Sequence, residues 1–305
     1  MIEGFRIRLL ETSQDPSPFD LQHAMEVWNS PNYNRWFHAN PIIIEADPFL
    51  LGWNGRLFLF YESKRLFSPG VIMMRYTDDL CHWSEETMVL NEKFHLSFPN
   101  VFVNNGTVYM IPETNEAGSI RLYRADNDDL TSFSLCNVLV DESPFSIKGT
   151  SFVDTALVNL KGIYYLLTTV MHESKQTLLL YYSNDLTGKY KYSAISPLLI
   201  DNQYGRNAGN IIESNGVYYR VSQDCSNSYG ENVSIHQIEA LTAQSYKESL
   251  YKDKLFDRSK KAYLHGGHQF CMVSYQGRSI VATDSKEYHL FLIPRVLRKI
   301  RRFFH

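Results

Sequence analysis

Apolar and aromatic runs recur in pairs along the chain, and a two-residue turn containing glycine joins each pair. The turns are Asn54-Gly55, Asn105-Gly106, Lys161-Gly162, Asn215-Gly216 and Gln276-Gly277. A residue that tolerates positive φ between two β-prone runs is typical of a β-hairpin. The glycines lie 51 to 61 residues apart, a period that fits one four-stranded blade with its loops. The pattern therefore predicts an all-β fold, a five-bladed β-propeller.

A third apolar run and a polar, edge-like stretch complete most of the repeats. We expect residues 1–293 to form one propeller domain, with blades near residues 41–95, 96–147, 148–199, 200–259 and 260–293. The fifth blade lacks a full second half, and the N-terminal run at residues 5–10 is expected to complete it and cover an open edge. Helix is expected only between residues 15 and 35 and in a C-terminal tail.

The tail, residues 294–305, carries five basic residues and no acid, although the whole chain has a net charge of −3. On a helix, its apolar residues gather on one side and its basic residues around the other. This pattern is typical of a short basic helix on an anionic membrane surface, although a solvated or packed tail is the alternative. The rest of the chain is acidic and has no basic face, so no nucleic-acid partner is expected.

The cysteines and the N-terminus favour a cytoplasmic protein. Cys81, Cys136, Cys225 and Cys271 lie in different repeats without metal-ligand spacing, which is typical of reduced structural thiols. The first residues have no apolar signal-peptide segment, and no apolar window is long enough for a transmembrane helix. We therefore expect a cytoplasmic location, with the tail allowing contact with the inner face of the membrane, and no metal or cofactor.

Alignment of the repeats on their glycines selects two sets of positions. Eight residues before each glycine stand Asp47, Phe98, Asp154, Ala208 and Gln269; seven residues after it stand Glu62, Glu113, Thr169, Gln223 and Asp284. Both sets lie at the same end of their hairpins. Because inner strands line a propeller axis, these side chains should converge at one mouth of the channel. Clustered carboxylates perturb each other's pKa values, as acid–base chemistry requires.

Each candidate also has a purely structural interpretation. A single Asp at a strand entry commonly binds backbone N–H groups, but Asp47 and Asp154 at the same position of alternate blades favour function. Glu62 and Glu113 could instead anchor loops at the rim. The fourth and fifth blades offer polar groups for substrate binding: Arg206, Asn207, Gln223, Asp224, Tyr229, His265 and His268. The spacing of the two histidines is a weak metal pattern, and they fit better as donors to phosphate or hydroxyl groups.

Two sequence features resemble the five-bladed propeller of glycoside hydrolase family 43. These are Asp47-Pro48 entering the first blade and Asp154 entering the third. The resemblance implies that Asp47 is the general base and that Asp154 orients the acid and tunes its pKa. In that family the general acid is a Glu from the fourth blade.

A more specific resemblance covers nearly the whole chain. The strings Ile111-Pro112-Glu113-Thr114 and Ser222-Gln223-Asp224-Cys225 are similar to those of the hydrolase-43-like domain found beside the transferase domain of plant glucosamine inositolphosphorylceramide transferases. Similar domains occur in bacterial surface-polysaccharide proteins. The resemblance implies a part in surface-glycan or glycolipid assembly.

The sequence departs from the hydrolases where they place the acid, because Arg206-Asn207 stands there. A glycosidase must protonate a poor leaving group, whereas a phosphate leaves without a proton and needs positive charge. The first hypothesis is therefore a glycosyltransferase with a phosphate-bearing sugar donor, a glycan or glycolipid acceptor and Asp47 as base. The second is a glycoside hydrolase with Glu113 or Asp224 as acid. The third is a non-catalytic carbohydrate-binding propeller.

Overall fold

The computed structural model describes residues 2–13, 17, 19–31, 40–142 and 152–289. These residues form 22 β-strands and two 3-10 helices, η1 (Asn115–Ala117) and η2 (Lys261–Tyr263), and no α-helix. The predicted basic helix at residues 294–305 lies outside the described residues. Nothing helical in the described ranges has the length and apolarity to cross a membrane.

The strands fall into five groups of consecutive hairpins. The N-terminal strands are β1 (Ile2–Thr12) and β2 (Met25–Asn29). Blade 1 comprises β3 (Ile42–Trp53), β4 (Arg56–Arg65), β5 (Gly70–Thr77) and β6 (Thr87–Leu90). Blade 2 comprises β7 (Ser97–Asn104), β8 (Thr107–Glu113), β9 (Ile120–Ala125) and β10 (Phe133–Val140). Blade 3 comprises β11 (Val153–Leu160), β12 (Ile163–His172), β13 (Lys175–Ser183), β14 (Lys191–Tyr192) and β15 (Leu199–Ile200).

The last two blades follow the same plan. Blade 4 comprises β16 (Arg206–Asn207), β17 (Ile212–Ser214), β18 (Val217–Asp224), β19 (Asn232–Leu241) and β20 (Tyr246–Lys252). Blade 5 comprises β21 (Phe270–Tyr275) and β22 (Arg278–His289), together with β1 and β2. The first strands of neighbouring blades contact one another, since β3 touches β7 and β21, and β11 touches β7 and β16. The predicted five-bladed β-propeller is confirmed.

The chain closes its ring by pairing its two ends. Strand β1 lies antiparallel to β22, in register from Ile2 opposite His289 to Thr12 opposite Ser279. Strand β2 then pairs with β1 and forms the outer edge of blade 5. The expectation of helix between residues 15 and 35 is wrong for β2. Its backbone groups supply the fourth strand that blade 5 lacks, so pairing with β1 outweighs any local helical preference.

The hairpin turns have the backbone conformation that the sequence predicts. Both residues of each turn have positive φ, as in Asn54 at 48° followed by Gly55 at 80°. Such turns match the right-handed twist of the flanking strands. The apolar faces of adjacent blades pack together between these hairpins, and the rings of Phe49 and Phe98 meet edge to face with centroids 4.8 Å apart. The repeated hairpin therefore places every blade in the same orientation around the axis.

Candidate functional site

The inner strands end around a pocket of about 170 Å³ at one mouth of the axis, which we call the mouth pocket. Its lining residues are Phe5, Ile44, Ala46, Asp47, Glu62, Lys64, His95, Ser97, Glu113, Asn115, Asp154, Arg206, Tyr229 and His268. Seven residues predicted from the sequence are among them: Asp47, Glu62, Glu113, Asp154, Arg206, Tyr229 and His268. The volume is below the roughly 300–1,000 Å³ of pockets for drug-sized ligands, so a small ring fits better than a long chain.

A bulge interrupts the entrance of three inner strands, and two of the bulged side chains, Asp47 and Asp154, line the pocket. Asp47, Phe98 and Asp154 have φ of 52°, 44° and 50°, and the strand register shifts at each of them. Positive φ is uncommon for residues other than glycine and is costly for bulky ones. The strained conformation recurs at the equivalent position of three blades, so the bulge is a regular part of the structure at this end of the axis.

Side chains of one blade bind the bulge of the next blade. Asp284 Oδ2 accepts a hydrogen bond from the Asp47 backbone N–H at 3.2 Å, and Asp47 Oδ2 accepts one from the Phe98 N–H at 3.0 Å. Glu113 Oε2 accepts one from the Asp154 N–H at 3.3 Å. The structural interpretation of these carboxylates is thus correct in part, because they connect blades as well as line the pocket.

Asp47 lies beside a histidine that bridges two carboxylates. His268 Nε2 is 3.2 Å from Asp47 Oδ1, and its Nδ1 is 2.7 Å from Asp284 Oδ2. Burial opposes the charge on His268, but Asp284 and Asp47 raise the pKa of its imidazole well above the usual value. Burial likewise opposes ionisation of Asp47, yet His268 outweighs it and the pKa of Asp47 is lowered. This part of the pocket therefore holds an ionised Asp47.

On the other side of the pocket, Asp154 is paired with arginine. Arg206 Nε donates to Asp154 Oδ2 at 2.5 Å. Burial raises the pKa of Asp154, and the charge of Arg206 only partly opposes that rise. Burial and the charge of Asp154 raise the pKa of Glu113 well above its usual value. Burial and Asp154 therefore favour the protonated form of Glu113, which lies beside the pair of Asp154 and Arg206.

The sequence did not single out His95, which contacts Glu62 on the blade 1 wall. His95 Nε2 is 3.3 Å from Glu62 Oε1, and its Nδ1 accepts a hydrogen bond from the Gly70 N–H at 2.9 Å. Burial and the charge of Asp47 raise the pKa of Glu62 well above its usual value. Burial and nearby Lys64 lower the pKa of His95. His95 lies in a connection between blades, where the repeat alignment carries no signal.

Tyr229 forms an aromatic wall at the mouth. Its ring is 5.2 Å from the ring of His268, and the Arg206 guanidinium carbon lies 5.1 Å from its centroid. Phe5, from the N-terminal strand, meets Tyr229 edge to face at 6.2 Å. Aromatic and cationic groups thus lie next to each other above the carboxylates.

Four predicted site residues do not line the mouth pocket. The Asn207 side chain donates to the carbonyls of Asp154 and Leu167, both at 2.8 Å. Gln223 is buried and accepts from Cys225 Sγ, and Asp224 accepts from the Ser226 N–H. His265 is exposed, and its ring contacts that of Tyr288. Backbone groups therefore bind the polar side-chain atoms of Asn207 and Asp224, whereas Gln223 binds a cysteine thiol and His265 contacts an aromatic ring.

One cluster among the described residues has the spacing of a metal site: Asp47, His268 and Asp284, with ligand atoms within 4.8 Å of one another. His268 already joins the two carboxylates through its two ring nitrogens. An imidazolium has no free lone pair to offer a metal, and the raised pKa of His268 favours that charged form. The donor set therefore fits a cation-bridged carboxylate pair better than a metal centre.

Fold and site together define a five-bladed β-propeller with a carboxylate-lined axial pocket. Two solved glycoside hydrolases have a similar fold. An α-L-arabinofuranosidase of Podospora anserina is 10% identical with a TM-score of 0.61, over 83% of this chain and 93% of that one. A family 117 glycoside hydrolase of Zobellia galactanivorans is 13% identical with a TM-score of 0.56, over 89% and 95%.

Sequence comparison defines the family. Residues 16–277 match the family described as glucosamine inositolphosphorylceramide transferase 1, N-terminal, and the chain belongs to it. Glucosamine inositolphosphorylceramide transferase 1 of Arabidopsis thaliana is 31% identical over 255 residues, which cover 76% of this chain and 32% of the plant protein. The chain thus spans about a third of the length of this relative.

Proposed function

We propose that this propeller binds a sugar donor that carries a phosphate and acts in glycosyl transfer to a glycan or glycolipid acceptor. The family supports the reaction class, since its relatives are named as transferases. The observation that carries the proposal is the pairing in one pocket of an ionised carboxylate, Asp47, with a cationic group, Arg206.

Asp47 is the base in this proposal. The proton of an acceptor hydroxyl passes to the Asp47 carboxylate while the acceptor oxygen bonds to the anomeric carbon of the donor. The bond from that carbon to the phosphate oxygen breaks, and the phosphate departs with the electron pair. A positioned base contributes roughly 10²–10⁴-fold to such a step. His268 and Asp284 hold Asp47 in its ionised form before substrate arrives.

Arg206 binds the departing phosphate. Its Nε is engaged by Asp154, which fixes the guanidinium plane at the pocket wall. A planar guanidinium can bind a carboxylate on one edge and a phosphate on another. None of the described residues that line the pocket is a Glu from blade 4, so a leaving group that needs no proton suits it better than an alkoxide.

A glycoside hydrolase remains the second candidate because of Glu113. Burial and Asp154 raise its pKa, which favours the protonated form that a general acid requires, while the pKa of Asp47 is shifted the opposite way. Two carboxyl groups whose pKa values are pushed apart are a common acid–base arrangement.

Two further parts of the proposal concern location. The described cysteines are unpaired, and Cys81 and Cys136 are exposed, which suits a reducing, cytoplasmic environment. We propose that the basic residues of 294–305 attach the protein to an anionic membrane surface.

Calorimetric titration tests the donor class. Wild type should bind nucleotide sugars or sugar 1-phosphates more tightly than the matching neutral glycosides. Arg206→Gln should remove most of that preference, and Arg206→Lys should remove part of it because bidentate geometry is lost.

Lys191→Gln, which neutralises an exposed outer-strand lysine, is the matched control and should bind as wild type does. Melting temperatures of all variants show whether they remain folded. Equal affinity for phosphorylated and neutral sugars, unchanged in the Arg206 variants, would contradict the phosphate donor. Binding of neutral glycosides followed by their cleavage would favour hydrolysis, and binding without turnover would favour a carbohydrate-binding module.

A further inference from the structure

Three exposed side chains lie together beside the mouth pocket: Tyr229, Leu264 and Tyr288, which we call the mouth cluster. Their exposed fractions are 41%, 51% and 44%. The loops that carry Tyr229 and Leu264 touch, because a Cβ on Gly266 would lie 2.4 Å from the Gly230 carbonyl oxygen. The ring of His265, next to Leu264, is 5.0 Å from that of Tyr288. The three exposed side chains thus lie on neighbouring segments at one face.

Basic side chains border the mouth cluster. Arg258, Lys260 and Lys261 are exposed in the segment that leads to Leu264. Arg258 pairs with Glu231 at 2.9 Å, and Lys260, whose charge also acts on Asp257, donates a long 3.4 Å bond to the Gln22 backbone carbonyl. The one acid of residues 254–265, Asp257, accepts hydrogen bonds from Ser259. The segment is therefore net cationic around an apolar tip.

The last described strand ends at this same face. Strand β22 passes Asp284 at the pocket and ends at His289, one residue after Tyr288 in the mouth cluster. The basic residues of 294–305 begin six residues further along the chain, at Arg295, a stretch that reaches at most roughly 20 Å. The end of β22 thus lies beside the segment that carries Arg258, Lys260 and Lys261, since the ring of Tyr288 contacts that of His265.

We propose that the face of the mouth cluster docks on the surface of an anionic membrane, so that the mouth pocket opens toward the lipid. Apolar side chains inserted at the headgroup level with lysine and arginine around them are the chemistry that such a surface binds. Tyr229 belongs both to the docking face and to the pocket wall, which places the pocket entrance at the lipid boundary.

The inference rests on the proposed function in one respect, the class of acceptor. If the pocket transfers a sugar, its acceptor is an amphiphile that presents a hydroxyl group from the membrane. A soluble glycan would have to enter through a pocket entrance that the membrane covers. Membrane docking itself can be measured without donor or acceptor, so its failure is distinguishable from failure of the transfer proposal.

Vesicle co-sedimentation of the full chain tests the docking face. Vesicles of phosphatidylcholine mixed with phosphatidylserine should bind wild type, and vesicles of phosphatidylcholine alone should bind it much less. Leu264→Asp combined with Tyr288→Asp should weaken binding at least about tenfold. Lys260→Glu combined with Lys261→Glu should do so by a similar factor.

The matched control is Leu135→Asp combined with Met88→Asp, since these residues are 47% and 52% exposed but lie on outer strands of blades 2 and 1. It should bind vesicles as wild type does. Wild-type binding by the Leu264/Tyr288 variant would overturn the proposal, even if replacing the basic residues of 294–305 abolished binding. Size-exclusion chromatography that showed a wild-type dimer dissociated by the same variant would also overturn it, in favour of a self-association face.

Discussion

The two sides of the mouth pocket are built alike but carry different charge states. On one side Asp284 binds the bulge at Asp47, and on the other Glu113 binds the bulge at Asp154. Each bulge aspartate also pairs with one cation, His268 or Arg206. Yet the pKa of Asp47 is lowered, whereas burial raises that of Asp154.

The difference shows that repeat geometry places carboxylates but does not set their protonation. His268 contacts Asp47 through one ring nitrogen and Asp284 through the other. The Phe98 backbone N–H also donates a hydrogen bond to Asp47. Asp154 lies beside Glu113, a second carboxyl group. Both are buried, so water does not screen the charge of Asp154 from Glu113. Like charges in a dry site do not all ionise readily, so each side has one neighbouring carboxyl group whose pKa is raised, Glu62 near Asp47 and Glu113 near Asp154.

Replacement of the two bulge aspartates should separate their roles most strongly. Asp47→Asn should lower turnover by about 10²–10⁴-fold, because the base is lost. Asp154→Asn should weaken donor binding more than turnover, because it releases Arg206. The measurement is a steady-state transfer assay with the donor that calorimetry identifies, and circular dichroism verifies folding.

Equal losses of turnover in both variants, with donor binding intact, would show that Asp47 and Asp154 do not have separate roles in turnover and donor binding. Full activity of Asp47→Asn would remove Asp47 from the mechanism.

Glu113 and Asp47 should contribute to the pH dependence of stability with opposite signs. Glu113 binds a proton more tightly in the folded protein than in the unfolded chain. The unfolded chain therefore loses this proton first, and the free energy of unfolding falls as the pH rises above about 4.5. Asp47 has the opposite shift, so its contribution is lost as pH falls below about 3.8. The free energy of unfolding, measured by urea denaturation above about pH 4.5, should decline less steeply with pH in Glu113→Gln than in wild type. The difference in slope should be up to about 1.4 kcal/mol per pH unit.

Asp126→Asn, an acid outside the pocket, serves as control and should keep the wild-type slope. An unchanged slope in Glu113→Gln would mean that Glu113 is ionised in the folded protein.

The smallest effect is expected in blade 3, where the equivalent position is uncharged. Thr169 Oγ1 donates to the Gly205 carbonyl at 3.1 Å and accepts from the Asn207 N–H at 3.4 Å. Thr169→Val should lower the free energy of unfolding by about 1 kcal/mol, with no change in its pH dependence. A pH-dependent loss in this variant would show that blade 3 is coupled electrically to the pocket.

The local pattern of the sequence was sufficient for the fold. A turn such as Asn105-Gly106 requires positive φ at both residues, and the apolar runs on either side of it require a hairpin, so no distant contact is needed to recognise the repeat. Residues 25–29 were predicted wrongly as part of a helical region. Their pairing with β1 at the edge of blade 5 is a contact that no local pattern reports.

Repeat position also sufficed to bring Asp47, Glu113 and Asp154 to one pocket, because equivalent strands end at the same mouth. It could not find His95, which lies between blades, nor recognise that the amide of Asn207 is used by backbone carbonyls.

The sequence by itself thus determined the period, the hairpins and the end of the axis where the carboxyl groups gather, since these follow from short-range conformational rules. Only the tertiary structure decided which carboxyl groups keep a proton and which are ionised. Those states depend on burial and on distances of about 3 Å between side chains from different blades, such as His268 and Asp47, which are 221 positions apart in the sequence.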